Sequence, residues 1–273
     1  MAPDIEFCPA PQQLEGELLL FVIQQGRLLI SSDQSQSLLP ALRAGMARML
    51  FPGDLVYLGR MEGKHACTIL MDAEQVVPEG YHGEDLRRLI HVLSRREFIM
   101  ASRAVQLLNW RRNHGFCSRC GTATVAHERD LAMICPACDY SQYPRITPCI
   151  ITLVSRGDQI LLAHGAGFPQ GMFSCLAGFM EPGEDAEHAV QREVWEETRL
   201  RIRNLRYHGS QSWPFPHSLM LAFHAEYEAG DICPDGVEII EAGWFSRDRL
   251  PLMPPPGSIS RSLIDSWLQG ASA

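Results

Sequence analysis

The sequence predicts an α+β chain, because strand-like apolar runs, a clear helical periodicity and two pairs of cysteines follow one another along it. The runs Leu18–Ile23 and Cys149–Val154 have the length and composition of buried strands. From about Asp185 to Thr198 the apolar residues recur instead with a helical period. We therefore expect three parts, an N-terminal α/β domain over residues 1–113, a cysteine-rich segment over residues 114–144 and a second domain over residues 145–273.

The composition bounds the class of protein before any motif is considered. With 273 residues, 46% of them hydrophobic, the chain can build more than one domain with a sizeable core. No apolar run approaches the roughly eighteen residues that a membrane-spanning helix needs, and the first residues, MAPDIEF, lack the pattern of a secretory signal. The net charge of −8 argues against non-specific binding of nucleic acid by the whole surface. We expect a cytoplasmic protein that does not associate with membranes.

The N-terminal part should hold a small sheet followed by a long basic helix. Strands are expected near Asp54–Leu58 and Ala66–Met71, after a turn at Gln24–Gly26, and helical periodicity runs from about Glu84 to Asn113. Two interpretations of the basic segment stay open, a solvated helix face or a surface that binds RNA or substrate phosphates. Eight arginines crowd this segment against few acids: Arg87, Arg88, Arg95, Arg96, Arg103, Arg111, Arg112 and Arg119.

Two C-x-x-C pairs follow, formed by Cys117 with Cys120 and by Cys135 with Cys138, with fourteen residues between the pairs. This spacing is typical of a zinc ribbon with four cysteine ligands. Disulfides or a redox pair are the competing interpretations, but nine cysteines, an odd number, and no secretory leader disfavour disulfides. Four thiolates leave no open coordination position, so we expect a zinc ion that stabilises the fold and takes no part in chemistry.

The second domain should begin with a hairpin, formed by strands at Ile150–Ser155 and Gln159–Ala163 around a Gly157–Asp158 turn. The helix that follows can be capped by Asp185. Its apolar arc consists of Ala186, Ala189, Val190 and Val194.

Three acids of this helix, Glu193, Glu196 and Glu197, share one face because they are spaced i, i+3 and i+4. Projected on a helical wheel, Glu193 and Glu197 fall inside the apolar arc, and Trp195 falls on the far side. Burying unpaired carboxylates costs several kcal/mol each. We expect Arg192 to take one of them as a partner, which leaves the others for divalent cations with oxygen ligands.

The same residues carry a family resemblance. Gly178, Glu184 and the run Arg192–Glu197 have the spacing G-x5-E-x7-R-E-U-x-E-E, with U an aliphatic residue, which resembles the Nudix box. Arg199 stands where that pattern has glycine, and a left-handed helix end there would cost an arginine about 1 kcal/mol. A Nudix box implies hydrolysis of a nucleoside diphosphate linked to another group, assisted by magnesium or manganese.

A further segment narrows the resemblance. Residues 210–218 read SQSWPFPHS, which we expect to form an extended loop and which resembles the SQPWPFPxS signature of the NADH pyrophosphatase branch, with Ser212 in place of the first proline. The QYPRI stretch over residues 142–146 and the LPLMPPPG stretch over residues 250–257 also match this branch, as does the preceding zinc ribbon. The resemblance covers Asn113 to the C-terminus well and the first hundred residues only in outline. It implies an α/β/α sandwich around a mixed sheet, hydrolysis of NADH to reduced nicotinamide mononucleotide and AMP and, as in bacterial members, removal of the NAD cap from RNA.

The resemblance also implies roles for individual residues. The main-chain carbonyl of Ala177 and the carboxylate of Glu238 would join Glu193 and Glu197 in binding magnesium or manganese. Glu196 would be a further ligand or would orient water, and Arg192 would orient a box glutamate. The implied homodimer shares its active site across the interface, where Trp195 could lie. The implied substrate-binding residues are Tyr143 and Phe179, which would stack on nicotinamide, then Gln211, Ser212, Trp213, Pro214, Phe215, Pro216, His217, Ser218 and Ser260, together with Asp130 and Arg87 or Arg88, with Arg88 preferred.

Two other functions are compatible with parts of the sequence. One is a Nudix hydrolase with a different substrate, such as ADP-ribose or another dinucleotide, and the aromatic-proline segment weighs against it. The other is a non-catalytic zinc-ribbon protein that binds RNA, with a degenerate Nudix domain. The complete set of box carboxylates argues against that second function.

Overall fold

A computed structural model describes residues 4–33, 37–128 and 130–270. The chain divides into two compact units, Met1–Arg145 and Ile146–Ala273. The segments expected as an N-terminal domain and as a cysteine-rich segment both lie in the first unit. None of the described helices is both long and apolar enough to cross a bilayer.

The first unit combines one large sheet, three helices and a second, small sheet over its described residues. Strands β1, β5, β6, β2, β3 and β7 lie side by side in that order, and β4 also pairs with β2. The three short strands β8, β9 and β10 form a separate antiparallel sheet. The elements are β1 (Ile5–Glu6), β2 (Glu17–Gln24), β3 (Arg27–Ser31), β4 (Ala41–Arg43), α1 (Ala44–Leu50), β5 (Leu55–Met61), β6 (Lys64–Met71), β7 (Tyr81–Glu84), α2 (Leu86–Leu89), α3 (Arg95–Asn113), β8 (Val125–Ala126), β9 (Met133–Ile134) and β10 (Ser141–Gln142).

The expected turn after the first long strand is confirmed. Gln25 and Gly26 connect β2 to β3 with φ of 49° and 76°. Two successive positive φ values are typical of the type I′ turn, whose twist matches that of the flanking strands. The strands expected near residues 54–58 and 66–71 are also present as β5 and β6.

The single long helix expected over residues 84–113 is wrong, because the chain forms the short α2, a break, and then α3. A capping box at Ser94 explains the restart. The Ser94 hydroxyl accepts from the Glu97 main-chain N–H at 3.3 Å, and the Glu97 carboxylate accepts from the Ser94 N–H at 2.8 Å. Because this arrangement satisfies two of the unpaired N–H groups at a helix start, it favours a new helix at this residue.

Two arginines of α3, Arg96 and Arg103, bind residues of neighbouring strands and loops in the first unit. Arg96 forms ion pairs with Glu62 and Asp4. The Arg103 guanidinium lies over the ring of Phe7, 4.4 Å from its centroid, and donates to the main-chain oxygen of Leu58 at 2.9 Å. These two side chains attach α3 to neighbouring strands and loops, so they serve the fold of this unit.

The second unit is a mixed sheet between two helices. Over its described residues six strands pair in the order β14-β15-β11-β12-β16, with β13 beside β11, and of these pairs only β11 with β15 is parallel. The elements are β11 (Thr147–Arg156), β12 (Gln159–Gly165), β13 (Leu176–Phe179), α4 (Ala186–Thr198), β14 (Arg201–Trp213), β15 (Ser218–Ala229), β16 (Ile239–Ser246) and α5 (Ile259–Leu268).

Alternating residues of β11 build a core on each face of this sheet. Ile150 belongs to the core that contains Val190 and Val194 of α4, whereas Ile151 belongs to the core that contains Leu263 and Trp267 of α5. Both β11 residues are almost fully buried. This alternation follows from the two-residue period of a strand with both faces covered. The expected α/β/α sandwich is therefore confirmed.

The extended loop expected over residues 210–218 is wrong. Residues 210–213 are the end of β14, Ser218 begins β15, and residues 214–217 form the turn between them. The Phe215–Pro216 peptide bond is cis. Gln211 pairs with Met220, and Trp213 pairs with Ser218 across the antiparallel ladder. The pairing continues to the last residue before the prolines, which cannot donate to the ladder, so this segment is a hairpin.

Candidate active site

The expected catalytic helix is α4, and both of its ends follow the sequence prediction. Asp185 caps it, accepting from the His188 main-chain N–H at 2.9 Å. Arg199 ends it in the left-handed conformation, with φ 62° and ψ 17°, and its N–H donates to the Trp195 oxygen at 2.9 Å. The arginine therefore takes the conformation that favours glycine in the family pattern, and its guanidinium lies 5.7 Å from the centroid of the Trp195 ring.

Glu193 and Glu197 are buried, as their position within the apolar arc predicts. They are 8% and 5% exposed, whereas Trp195 is 43% exposed. Gly178 of β13 makes the room for Glu193, since a Cβ built there would lie 2.0 Å from the Glu193 Cδ atom. The glycine of the box is thus required by the close contact between β13 and this carboxylate.

Arg192 binds several acids at once, so the expectation of a single partner is wrong. Its guanidinium donates to both carboxylate oxygens of Glu184 at 2.9 Å. It also reaches Glu193 and Glu196 at 2.9 Å each and the main-chain oxygen of Phe179 at 2.8 Å. Five N–H donors in a planar fork make this possible. Hydrogen bonds from Arg192 and from the Glu181 main chain lower the pKa of Glu184 to about 2.

Glu197 receives no such compensation. Its Oε2 atom is buried and has no hydrogen-bond partner among the described residues. Burial, reinforced by the charges of Glu193, Glu238 and Asp235, raises the pKa of Glu197 to about 8. Burial also raises the pKa of Glu193, although Arg192 opposes the shift. A buried, unpartnered carboxylate among other acids is the environment that a divalent cation with oxygen ligands stabilises.

The four cysteines Cys117, Cys120, Cys135 and Cys138 form a compact cluster. Their sulfur atoms all lie within 4.8 Å of one another, with Cys117 and Cys138 3.7 Å apart and Cys120 and Cys135 3.4 Å apart. Tetrahedral zinc with Zn–S bonds of about 2.3 Å separates its sulfurs by roughly 3.8 Å. The cluster therefore fits a structural zinc ion. Within residues 4–33, 37–128 and 130–270, these cysteines are the one group of three or more His, Cys, Asp or Glu side chains whose ligand atoms converge in this way. Glu193, Glu197 and Glu238 do not converge to the same degree.

The other two expected cation ligands lie on elements next to α4 in the second unit. Ala177 is in β13, where it pairs with Ile151. Glu238 is exposed and immediately precedes β16, and its charge acts on both Glu193 and Glu197. The expected ligands thus come from a strand, a helix and a loop.

Several of the expected substrate-binding residues of the hairpin already contact other residues of the second unit. Gln211 donates to the Gly257 oxygen and accepts from the Ile259 N–H, both at 2.8 Å. His217 contacts the Thr147 hydroxyl at 2.9 Å, and the rings of Trp213 and Phe215 meet edge to face at 5.0 Å. Of the remaining positions, Pro214 and Ser218 are buried, Ser212 is half-buried and Pro216 is exposed.

The Ser260 hydroxyl is also engaged within the second unit. It contacts the Ser174 hydroxyl at 2.8 Å and accepts from the Cys175 N–H at 3.3 Å. Phe179, unlike Ser260, is 55% exposed, at the end of β13. Its ring is therefore available for stacking.

Tyr143, Asp130 and Arg88 belong to the first unit. Tyr143 is 61% exposed. The Asp130 main-chain N–H donates to His127 Nδ1 at 2.9 Å, and its carboxylate lies 3.6 Å from the same atom. The Arg88 side chain is 79% exposed and lies 3.8 Å from Glu84. The substrate-binding roles of these three residues stay predictions.

Asp235 is a residue of this region that the sequence reasoning missed. Hydrogen bonds from the main chain of Ile239, Val237 and Glu238 lower its pKa. The signal that could have found it is the Asp235–Gly236 pair three residues before Glu238, because Asp followed by Gly is typical of a turn held by the Asp side chain.

Comparison with known sequences covers all three parts of the chain. The model for the NUDIX domain matches residues 144–267, the NADH pyrophosphatase zinc ribbon domain matches residues 112–143, and the NADH pyrophosphatase-like rudimentary NUDIX domain matches residues 18–110. The last match describes the region of the N-terminal sheet as a rudimentary NUDIX domain, which the sequence reasoning did not predict.

Individual relatives agree. The NAD-capped RNA hydrolase NudC of Pseudomonas syringae pv. syringae (strain B728a) is 48% identical over 211 residues, 77% of this chain and 76% of the relative. NudC of Pseudomonas syringae pv. tomato (strain ATCC BAA-871 / DC3000) is 42% identical over 257 residues, 94% of this chain and 90% of the relative. A crystal structure of a NUDIX hydrolase from Nitrosomonas europaea is 24% identical and covers 56% of this chain and 90% of its own, with a TM-score of 0.49, too slight a similarity to bear on the assignment. The sequence relatives and the three domain matches show that the chain belongs to the Nudix hydrolase family, in the branch that carries the NADH pyrophosphatase zinc ribbon.

Proposed function

We propose that this protein hydrolyses the pyrophosphate bond of NAD(H), giving AMP and nicotinamide mononucleotide in its oxidised or reduced form. On RNA carrying a 5′ NAD cap, the same reaction releases nicotinamide mononucleotide and leaves a 5′-monophosphate. The relatives named NAD-capped RNA hydrolase, 42% and 48% identical, support this substrate class. The observation that carries the proposal is the buried, unpartnered carboxylate of Glu197 within a complete set of box acids.

Glu193, Glu197 and Glu238, with the main-chain carbonyl of Ala177, would hold the catalytic magnesium or manganese. When bound, such a cation neutralises charge on the diphosphate and lowers the pKa of a bound water. The residues fit a cation because the Glu197 carboxylate is buried without a donor while the charges of four further acids raise its pKa.

The remaining box residues position these ligands and the attacking water. Arg192 holds Glu193 and Glu196 at 2.9 Å each, and Glu184 holds Arg192 from the other side. The Glu196 side chain is 53% exposed, so it can orient a water towards the scissile phosphorus while its other oxygen stays on Arg192. Glu196 is therefore the proposed water-orienting group.

The nicotinamide end of the substrate would be recognised by aromatic stacking and by the hairpin of residues 211–218. Phe179 and Tyr143 supply exposed rings for stacking. Because the polar side-chain atoms of Gln211 and Ser260 are already engaged, these two residues would shape the pocket, and the main chain beside them would contact the substrate. Asp130 and Arg88 are further proposed substrate-binding residues.

We also propose a domain organisation, a location in the cell and an oligomeric state for this protein. Residues 1–113 and 114–144 would be an N-terminal domain and a zinc ribbon, and residues 145–273 the catalytic domain. The protein would act in the cytoplasm as a homodimer with a shared active site, and the exposed Trp195 ring is a candidate interface residue. Sedimentation equilibrium at micromolar concentration tests the dimer, and a monomer there contradicts it.

The experiment that tests the function compares kcat/KM for NADH and for NAD-capped RNA, using one zinc-loaded preparation with added magnesium or manganese. Turnover of both substrates supports the proposal, and the faster one identifies the working substrate. Faster hydrolysis of ADP-ribose than of NADH or NAD-capped RNA would indicate a Nudix hydrolase with a different substrate specificity. No metal-dependent turnover of any of the three would favour a non-catalytic RNA-binding protein.

A further inference from the structure

Glu238, the proposed cation ligand outside the box, lies in a loop whose main chain is held from two sides. Its carbonyl oxygen accepts from the Ala166 N–H at 3.0 Å. Its N–H donates to the Asp235 carboxylate, at 3.1 Å to Oδ1 and 3.3 Å to Oδ2. The Glu238 carboxylate has no hydrogen bond or ion pair to any residue of the described ranges, so its position depends on the main chain that carries it.

The Asp235 carboxylate organises this main chain. Its Oδ1 atom accepts from the N–H groups of Val237 at 3.0 Å, Glu238 at 3.1 Å and Ile239 at 2.8 Å. Three successive N–H groups thus converge on one oxygen, which curls the chain around the Asp235 side chain. Gly236 permits the turn with a φ of 74°, and Ile239 is buried and starts β16.

The same residue is attached to the end of the catalytic helix. The Asp235 N–H donates to the main-chain oxygen of Glu197 at 3.2 Å, and the Cys233 N–H donates to that of Thr198 at 2.9 Å. The last carbonyl groups of a helix have no partner within the helix, so this loop satisfies two of them. Asp235 therefore contacts Glu197 through its main chain and Glu238 through its side chain.

We infer that Asp235 is a positioning residue, which holds Glu238 at a set place relative to Glu197 by accepting three main-chain hydrogen bonds on Oδ1. The inference rests on the proposed function for the identity of the ligand pair. A direct cation ligand is the other role for an acid at this place, but Oδ1 is already surrounded by the three N–H donors. The two roles differ in their need for charge, since positioning requires an acceptor oxygen and cation binding requires a carboxylate.

Two variants separate these roles. Asp235→Asn keeps the Oδ1 acceptor and removes the charge, whereas Asp235→Ala removes both. Asp231→Ala is the matched control, because Asp231 is an exposed acid of the same loop and takes no part in the turn. Each protein is prepared zinc-loaded, and thermal melting verifies that it is folded.

The first measurement is manganese binding without substrate, by calorimetry or by the paramagnetic resonance signal of free manganese. We expect Asp235→Ala to weaken binding by about tenfold or more, as is usual when a group that orients a metal ligand is lost. Asp235→Asn and Asp231→Ala should bind within about twofold of the parent protein. A second variant pair, Glu238→Ala with and without Asp235→Ala, should show equal affinities, because Asp235 acts through Glu238.

The second measurement is amide hydrogen exchange of the peptide spanning residues 236–240, which requires neither metal nor substrate. We expect faster exchange in Asp235→Ala and parent-like protection in Asp235→Asn. Parent-like manganese affinity in Asp235→Ala would overturn the inference, and so would equal losses in the alanine and asparagine variants. Because neither readout involves turnover, failure to hydrolyse NADH would count against the proposed function and leave this inference standing.

Discussion

The cysteine cluster and the proposed cation site differ in how their ligands are brought together. The four cysteine sulfurs come from two short C-x-x-C turns and lie within 4.8 Å of one another. The carboxylate site instead draws on β13, α4 and the loop before β16, and its central residue, Glu197, lacks a hydrogen-bond partner. A closed cluster of thiolates suits a metal that stabilises the fold, whereas carboxylates held apart on several elements can accept a cation together with substrate and water. We therefore expect substitutions in the carboxylate site to lower activity and substitutions in the cysteine cluster to lower stability.

The largest effect should follow the loss of the unpartnered carboxylate. Glu197→Gln is expected to lower kcat/KM for NADH by about a thousandfold, because several kcal/mol of transition-state stabilisation would depend on the cation that this residue is proposed to hold. The exposed Glu187 of the same helix provides the control, since Glu187→Gln should stay within about twofold of the parent protein. Near-normal turnover by Glu197→Gln would remove this residue from the chemistry.

Damage to the cysteine cluster should appear first as a loss of stability. Cys135→Ser is expected to lose zinc and to lower the Tm by roughly 10 °C, since a structural zinc contributes directly to folding. Its manganese affinity should be unchanged, because the proposed carboxylate ligands lie in the other unit. Metal analysis and thermal melting measure the effect, with Cys233→Ser as the control at an exposed cysteine. Retention of stoichiometric zinc by Cys135→Ser would refute the four-ligand site.

A smaller effect is expected from filling the space beside Glu193. Gly178→Ala places a methyl group where the Glu193 Cδ atom would lie 2.0 Å away, so the carboxylate must move. We expect kcat/KM to fall by about thirtyfold, or roughly 2 kcal/mol. Gly209→Ala is the matched control, because Gly209 also lies in a strand and a Cβ there meets no atom within 4 Å. Equal kinetics in the two variants would mean that the contact between β13 and α4 does not position Glu193.

The smallest expected effect concerns stability without added magnesium or manganese. The pKa of Glu197, raised to about 8, lies above that of an unfolded glutamate, so the folded state binds the proton more tightly. The stability of the zinc-loaded protein should therefore fall as the pH rises from about 4.5 to about 8. Glu197→Gln lacks this penalty and should melt roughly 4 °C higher than the parent protein at pH 8.5, with a smaller difference at pH 5. A difference that does not change with pH would contradict the raised pKa.

Local patterns of the sequence predicted several elements of the fold and of the two sites. The spacing of the cysteines predicted the ligand set whose sulfurs the structure brings together. The helical period predicted α4, its Asp185 cap and the burial of Glu193 and Glu197, because side chains three and four residues apart share a helix face. The hairpin of β11 and β12 was predicted from two apolar runs on either side of the Gly157–Asp158 turn. Each of these predictions depends on residues that are close in sequence.

The predictions that were wrong depended on contacts between distant residues or on competition between local structures. Arg192 binds Glu193 and Glu196 within its own helix. Its bonds to Glu184 and to the Phe179 carbonyl arise because β13 and the loop after it pack against α4, which no local pattern conveys. The Ser94 capping box overrode a helical period that continues through the break between α2 and α3. Residues 210–213 form strand because β15 pairs with them, although the prolines that follow suggest a loop.

The sequence alone therefore determined the family, the cysteine ligand set and the face of α4 that carries the acids, since each is written in the spacing of neighbouring residues. Only the tertiary structure decided which groups outside α4 Arg192 binds, why Gly178 has no side chain, and how Asp235 connects Glu197 to Glu238. These are contacts between separate strands, helices and loops. Their geometry follows from how the elements pack, and the packing joins residues that are far apart in the chain.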